Sequence, residues 1–318
     1  MAVQQEPIPV YLICGFLDAG KTNFIAPMLS NQDFTRDERT LLVITEEGEE
    51  EYDPQALEHY QVTAEMIEDK GAFTKERLAA MERQAHPSQI VMEYNGMWPL
   101  ADLEAALPEN WALYQIVTLV EAPTFDTYAK NMASLMMEKI RNADMLIFNR
   151  VTDALADQLR ARNLKMLNRR AEMYLEYADE ERVENYDNGM CPFDLSKPVL
   201  ELSDEDFGFW YTDCMDNPER YEGKSVKFRG MVAQSENFPK GCYAVGRFAM
   251  VCCAQDTTFL GVLCSGSERR YLQNREWVEV TGKVRLKKLP IYQGEEGPVL
   301  YTTEVKPTQP PKDELVYF

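Results

Sequence analysis

Val10-Tyr11-Leu12-Ile13-Cys14-Gly15-Phe16-Leu17-Asp18-Ala19-Gly20-Lys21-Thr22 runs an apolar strand into the pattern G-x-x-x-x-G-K-T, and Asn23-Phe24-Ile25 continues it as the start of a helix. In such a strand-loop-helix the glycines let the main chain curl so that successive N–H groups face one anion. The helix N-terminus adds its partial positive charge. Lys21 then supplies a point charge for β- and γ-phosphates, and the Thr22 hydroxyl a ligand for Mg²⁺. The stretch predicts a nucleotide site in which Gly15, Asp18, Ala19, Gly20, Lys21, Thr22 and Asn23 touch the phosphates.

Outward from this loop, apolar runs bounded by breakers recur at 10–14, 41–44, 89–92, 114–120 and 145–148. Helical patterns lie between them at 74–84, 100–107, 125–140 and 154–174. Such alternation builds βαβ units and a mostly parallel sheet covered on both faces. Ligands of these sheets sit at the carboxyl ends of the strands, where Gly15 to Thr22 would lie.

The pattern changes near Tyr174. Residues 178–188 are strongly acidic, and Asn188-Gly189-Met190-Cys191-Pro192 supplies turn residues. A helix is predicted from Ser203, with Phe207, Trp210, Tyr211 and Cys214 as one apolar stripe and Pro218 beyond its end. Strands follow at 226–232, 242–253, 258–264, 277–286 and 299–305. Five short strands with glycine-containing turns suggest a small barrel of the oligonucleotide/oligosaccharide-binding (OB) type. The fold class expected is α/β, a P-loop NTPase domain with a mostly parallel sheet followed by a small OB-like β-barrel. The domains expected are 1–178, an acidic connector 179–202, and 203–318.

Composition narrows the partners. A chain of 318 residues favours two domains. Its formal net charge of −20, from 33 Lys and Arg against 53 Asp and Glu, argues against nucleic acid, whose phosphates need a basic face. No apolar run approaches bilayer-spanning length, and residues 1–7 have neither a basic nor a hydrophobic signal region, so a cytoplasmic protein without direct membrane insertion is expected. Seven cysteines without dense spacing fit reduced thiols, and two histidines exclude a histidine-rich metal site.

Val91-Met92-Glu93-Tyr94-Asn95-Gly96 places an acid at the tip of a buried strand that should lie beside the phosphate loop. Glu93 can there reach Mg²⁺, directly or through a water, or position the attacking water, so Lys21 and Glu93 are the catalytic candidates. Gly96 can give its N–H to the γ-phosphate. Between loop and acid lies Thr45-Glu46-Glu47-Gly48-Glu49-Glu50-Glu51-Tyr52-Asp53. Its carboxylates repel one another and attract a cation, with Glu46 and Glu49 as candidate ligands and a solvated loop as the alternative.

These residues carry a resemblance. Gly15 to Thr22 is similar to the G-F-L-x-A-G-K-T loop of the CobW-like P-loop GTPases, and Glu93-x-x-Gly96 to their E-x-x-G. Glu46, Gly48, Glu49 and Asp53 fall in register with the family's switch pattern N-E-F-G-E-x-x-x-D, with Thr45 for the Asn and Glu47 for the Phe. Val120-Glu121-Ala122 resembles V-D-A, and Ala143-Asp144 followed by Asn149 resembles A-D-x-x-x-x-N-K, over residues 8–175. The resemblance implies Mg²⁺-dependent GTP hydrolysis used as a switch in metal handling or metallo-cofactor maturation, with a client metalloprotein as partner. Asn149, Arg150 and Asp153 would then meet the base. The family's C-x-C-C metal motif is absent, since no cysteine occurs between Cys14 and Cys191. Asn149-Arg150-Val151-Thr152-Asp153 also departs from N-K-x-D, because Thr152 accepts no bidentate pair, and this leaves ATP open beside GTP.

Residues 203–306, above all Arg247-Phe248-Ala249-Met250-Val251-Cys252-Cys253-Ala254-Gln255-Asp256, resemble the C-terminal domain of YcgQ-like proteins, subunits of a two-component permease. A permease subunit is therefore a second candidate partner. Neighbours on a strand point to opposite faces, so Cys252 and Cys253 enter one Zn²⁺ site only if the strand ends or bulges there. Cys242, Cys264 or Asp256 can complete such a site, and small buried hydrophobes are the alternative reading of these thiols. Two rival functions stay open, a scaffold whose nucleotide is never turned over and a metal-sensing or transport-accessory protein using the barrel thiols.

Overall fold

The computed structural model describes residues 7–48, 50–179, 182–187, 191, 193–250 and 257–316. They fall into two compact units, one within Met1–Arg160 and Arg170–Asn188, the other within Ala161–Arg169 and Gly189–Phe318.

The first unit alternates strand and helix. β1 (Ile8–Gly15) leads through the loop to α1 (Lys21–Ser30) and the short α2 (Gln32–Thr35), then β2 (Thr40–Ile44), α3 (Pro54–His59) and β3 (Val62–Met66). Next come α4 (Lys75–Ala85), β4 (Gln89–Asn95), α5 (Leu100–Ala106) and β5 (Trp111–Glu121). Helices α6 (Phe125–Asn131) and α7 (Ala133–Asn142), β6 (Met145–Val151), α8 (Asp153–Ala161), β7 (Glu172–Tyr177) and β8 (Val183–Asn185) complete it. The sheet order is β3-β2-β4-β1-β5-β6-β7-β8, and each pairing is parallel except β7 with β8.

Alternate residues of the central strands feed two cores. Val10, Leu12 and Cys14 join Leu41, Val43, Ile90 and Met92 beneath Leu78, Met81 and Leu103 of α4 and α5. Ile13, Leu42, Val91, Val117 and Leu119 pack instead on Ile25 and Leu29 of α1. Strands buried on both faces read as near-continuous apolar runs, which is why these were visible in the sequence. The order reverses about β1, and parallel register brings the tips of β1, β4, β5 and β6 to one edge, with Gly15 opposite Asn95 and Glu121 opposite Asn149.

Local structure departs from the sequence expectations at several points. The helix expected over 154–174 ends at Ala161, because Asn163 turns left-handed at φ 47° and Met173, Leu175 and Tyr177 then alternate into the core as β7. The helix expected over 125–140 breaks at Met132, whose φ of −134° is not helical. Edge strand β3 has no counterpart in the reading, since of its residues Val62 alone is buried. The stretch read as a connector contributes β8 to the first unit and β9 (Val199–Glu201) to the second.

In the second unit α9 (Asp206–Asp216) precedes β10 (Ser225–Ala233), β11 (Cys242–Met250), β12 (Thr257–Ser265), β13 (Trp277–Lys288) and β14 (Glu296–Pro307). Ser203 Oγ accepts from the Asp206 N–H while the Asp206 carboxylate accepts from the Ser203 N–H, a reciprocal cap at the entry to α9. The order β11-β12-β14-β13-β10 closes through a β10–β11 pairing into a five-stranded barrel, with β9 added in parallel to β10. Strands β12 and β14 pair in parallel and the other barrel pairs are antiparallel. Phe207, Trp210 and Cys214 of the predicted stripe lie in the barrel core and its fourth member, Tyr211, packs half-buried against it, while Phe207 and Trp210 meet Phe228 with ring centroids 5.1 and 5.2 Å away. Among the described residues no helix is long and apolar enough to cross a membrane.

An exposed charge cluster ties β8 to its surroundings. Glu184 accepts from Arg160 (2.9 Å), Arg182 (2.8 Å) and the Tyr177 hydroxyl (3.1 Å). Arg160 first, and then Arg182, hold its carboxyl down to about 2 from the usual 4.5. A folded-state pKa below the unfolded one adds stability that is present above pH 4.5 and is lost as pH falls toward 2. Thermal melts should therefore show a steeper acid loss over that window in the wild type than in Glu184→Gln.

Candidate functional site

Gly20 sits at φ 81° as the N-cap of α1, a left-handed conformation that glycine adopts without cost, and its carbonyl accepts the first helical bond from the Phe24 N–H at 3.0 Å. Asp18, at φ 61°, curls the loop before it. Ala19 turns its methyl into the core and is not on the cleft wall. Behind the loop Phe16 stacks on Tyr128 of α6 at 4.2 Å. Lys21 is 4% exposed, and its ammonium donates back to the Gly15 and Phe16 carbonyls, each at 3.0 Å. It also ion-pairs with Glu46.

The β4 tip brings in the second half. Glu93, 4% exposed, accepts from the Thr22 hydroxyl through Oε1 at 3.0 Å and from the Tyr52 hydroxyl through Oε2 at 2.5 Å. Burial pushes its carboxyl above the usual range, opposed by the Tyr52 bond and the Lys21 charge. Burial, with the neighbouring Glu93 charge, pushes the Tyr52 phenol up as well, so it stays a donor. Gly96 is a packing requirement: a Cβ there would stand 2.3 Å from Gly15 O and 2.6 Å from Phe16 Cα. Thr45, one of the two departures from the switch pattern, staples β2 to β4, its hydroxyl donating to Glu93 O (3.0 Å) and accepting from the Asn95 N–H (2.7 Å).

At the far end Asn149 donates to Ala19 O at 2.7 Å, while its own Oδ1 is buried and has no hydrogen-bond partner among the described residues. Arg150, at φ 53°, pairs with Glu121 at the β5 tip. Asp153 does not join them. It lies at the exposed start of α8, held by Arg182 at 2.8 Å, and is absent from the cleft wall.

The cleft holds about 330 Å³ and is walled by Leu17, Asp18, Gly20, Lys21, Thr22, Asn23, Glu46, Gly48, Glu50, Glu93, Glu121 and Arg150. Five carboxylates face two cations there, so a triphosphate would enter only with its own counter-cation. Thr22 and Glu93 offer the hard oxygen donors that suit Mg²⁺. The sequence reading placed Glu50 and Tyr52 in the switch stretch and Glu121 in the V-D-A match without a contact of their own, and Thr45 only as a departure from the switch pattern; an acid closing a buried strand, the signal that found Glu93, also marks Glu121.

In the barrel, Cys264 points into the core with its thiol on Val262 O (3.5 Å), whereas Cys242 packs on Leu263 and Val299 outside it. Their strand partners are Tyr243 and Ser265, which puts the two thiols on opposite faces of the sheet, so they do not share a metal. Burial pushes both thiols up, away from the metal-binding thiolate. Cys252, Cys253 and Asp256, like Glu49 of the switch stretch, lie outside the described residues. Among the described residues no three potential ligands converge on a metal position, so those present do not fit Zn²⁺.

Because the obstacles to a methyl at position 96 are main-chain atoms, Gly96→Ala forces the loop and the β4 tip apart. Thermal unfolding should register a loss of about 1–3 kcal/mol, the usual scale of overpacking, and an undiminished midpoint would refute that account of Gly96.

Two family models match the chain: CobW/HypB/UreG, nucleotide-binding domain, over residues 9–175, and the DUF1980 C-terminal domain over residues 177–318. The Zinc-regulated GTPase metalloprotein activator 1 of Schizosaccharomyces pombe is 28% identical over 171 residues, covering 48% of this chain and 41% of that protein. The match thus spans well under half of that relative's length. Among solved structures, the hydrogenase maturation factor HypB from Archaeoglobus fulgidus gives a TM-score of 0.39 at 16% identity, over 55% of this chain and 84% of that one. FlhF complexed with GMPPNP and Mg²⁺ gives 0.35 at 14%, over 57% and 71%. With a matched nucleotide-binding domain that fills more than half of its length, the chain belongs to the CobW/HypB/UreG family, and a DUF1980 C-terminal domain follows.

Proposed function

We propose that this protein binds GTP with Mg²⁺, hydrolyses it, and uses the cycle as a switch in metal handling or in the maturation of metal-containing clients. The observation that carries the reading is the meeting of Lys21, Thr22 and Glu93 at one end of the sheet, with the Thr22 hydroxyl 3.0 Å from the Glu93 carboxylate. In this reading Lys21 and the amides of residues 15–20 hold the phosphates, with Asp18 and Asn23 at the cleft wall. Thr22 and Glu93 hold the Mg²⁺, which when bound neutralises charge on the phosphate oxygens. Glu93 also orients the attacking water, a role suited to a carboxylate in a desolvated place. Asn149 reaches the base through its unpartnered oxygen, and the Arg150 stem lies along it. Glu46, paired with Lys21, belongs to the stretch that responds to the γ-phosphate.

Metal handling rests on the named activity of the fission-yeast relative and on the family. The barrel would dock a client or, by its likeness to the YcgQ-like domain, a permease subunit at the cytoplasmic side. ATP is the second reading, favoured by the pairing of Asp153 with Arg182 away from the cleft.

Phosphate release from GTP and ATP side by side, with and without Mg²⁺, tests both. We expect Mg²⁺-dependent release from GTP, cut roughly a hundredfold or more by Lys21→Ala, as for loss of one charge-stabilising donor. Preference for ATP would reassign the base, and no release from either nucleotide would leave the scaffold reading.

A further inference from the structure

We propose that Tyr52 is a positioning residue that ties the switch stretch to the candidate hydrolytic carboxylate, so that Glu93 and the segment entering α3 move as one. The proposal deepens the GTPase reading and rests on it. The two oxygens of Glu93 are held by different elements, Oε1 by Thr22 in the first turn of α1 and Oε2 by Tyr52 just before α3. One donor leaves a carboxylate free to swing; two donors converging from separate elements leave it one orientation.

The phenol is itself anchored. Its ring packs with Leu57 and Tyr60 on the core that holds Ile25 and Leu29. It also walls a second, largely apolar cavity of about 300 Å³, shared with Ala26, Leu29, Leu57 and Tyr60. Tyr52 thus borders apolar space on one side and a catalytic candidate on the other. Any motion that takes its hydroxyl off Glu93 reshapes that cavity, and any motion of α3 tugs on the carboxylate. Tyr52 falls at an unspecified position of N-E-F-G-E-x-x-x-D, so the tie belongs to this chain's own residues.

The test is Tyr52→Phe in the full chain, which keeps the ring and deletes the hydroxyl. Hydrogen exchange without nucleotide should show the amides of residues 50–53 opening about tenfold faster, the scale expected for losing a hydrogen bond to a charged group. In steady-state GTP hydrolysis kcat should fall about tenfold and half-saturation by Mg²⁺ should rise, again on that hydrogen-bond scale. KM for GTP should stay within about twofold, since Tyr52 does not line the nucleotide cleft. Unchanged exchange overturns the proposal whatever the activity does. Faster exchange with kcat and Mg²⁺ dependence unmoved also overturns it, because the tie would then be structural alone. A wild type that releases no phosphate marks failure of the GTPase reading instead, and the exchange comparison then decides by itself whether Tyr52 holds the segment.

Discussion

Everything at the cleft depends on main chain lying against main chain where the β4 tip meets the phosphate loop. No side chain fits between Gly96 and the backbone of Gly15 and Phe16. That contact fixes the height of Glu93 relative to Thr22, and Thr45 repeats the fixation from the β2 side by bonding both Glu93 and Asn95. Residues from three strands and one helix are thereby held within hydrogen-bond distance by packing, before any ligand takes part.

Electrostatics then decide what such a cleft accepts. Lys21 is buried beneath two carbonyls and a carboxylate, while the opposite end carries the Arg150–Glu121 pair. With carboxylates in the majority along the wall, a polyanion is attracted to the amides and the ammonium but repelled elsewhere. A divalent cation among these carboxylates would ease that conflict, and the Glu93 carboxyl, raised by burial, lies on the wall it would meet. The acidity of the chain is consistent with a partner that carries its own cations.

Much of this was legible in the residues. Strands buried on both faces showed as unbroken apolar runs, the loop by its two glycines and Lys21, and the α9 stripe by its spacing. Edge strand β3 was not legible, because one buried valine carries no period. β7 was hidden because the expected helix ran on to Tyr174; what separates the two is the left-handed turn at Asn163, after which Met173, Leu175 and Tyr177 alternate with the period of a strand. The fate of Asp153 could not be read either, since Arg182, its partner, is brought near only by the β7–β8 hairpin. Tyr52 carried no signal beyond being a phenol among acids, because hydrogen bonds between residues 41 positions apart exist only after folding.

One feature of the connectivity bears on how the protein can be taken apart. Residues 161–169 belong to the barrel unit although chain on either side of them belongs to the sheet. They are committed there by Met166 beside Gly208, Asn163 on Thr212 and Arg169 on Asp216. No single scissile point yields two intact halves, because truncation after the sheet's last strand separates residues 161–169 from the unit they belong to. Expressing either half separately calls for a redesigned junction, and a protease that nicks the chain once need not release a functional fragment.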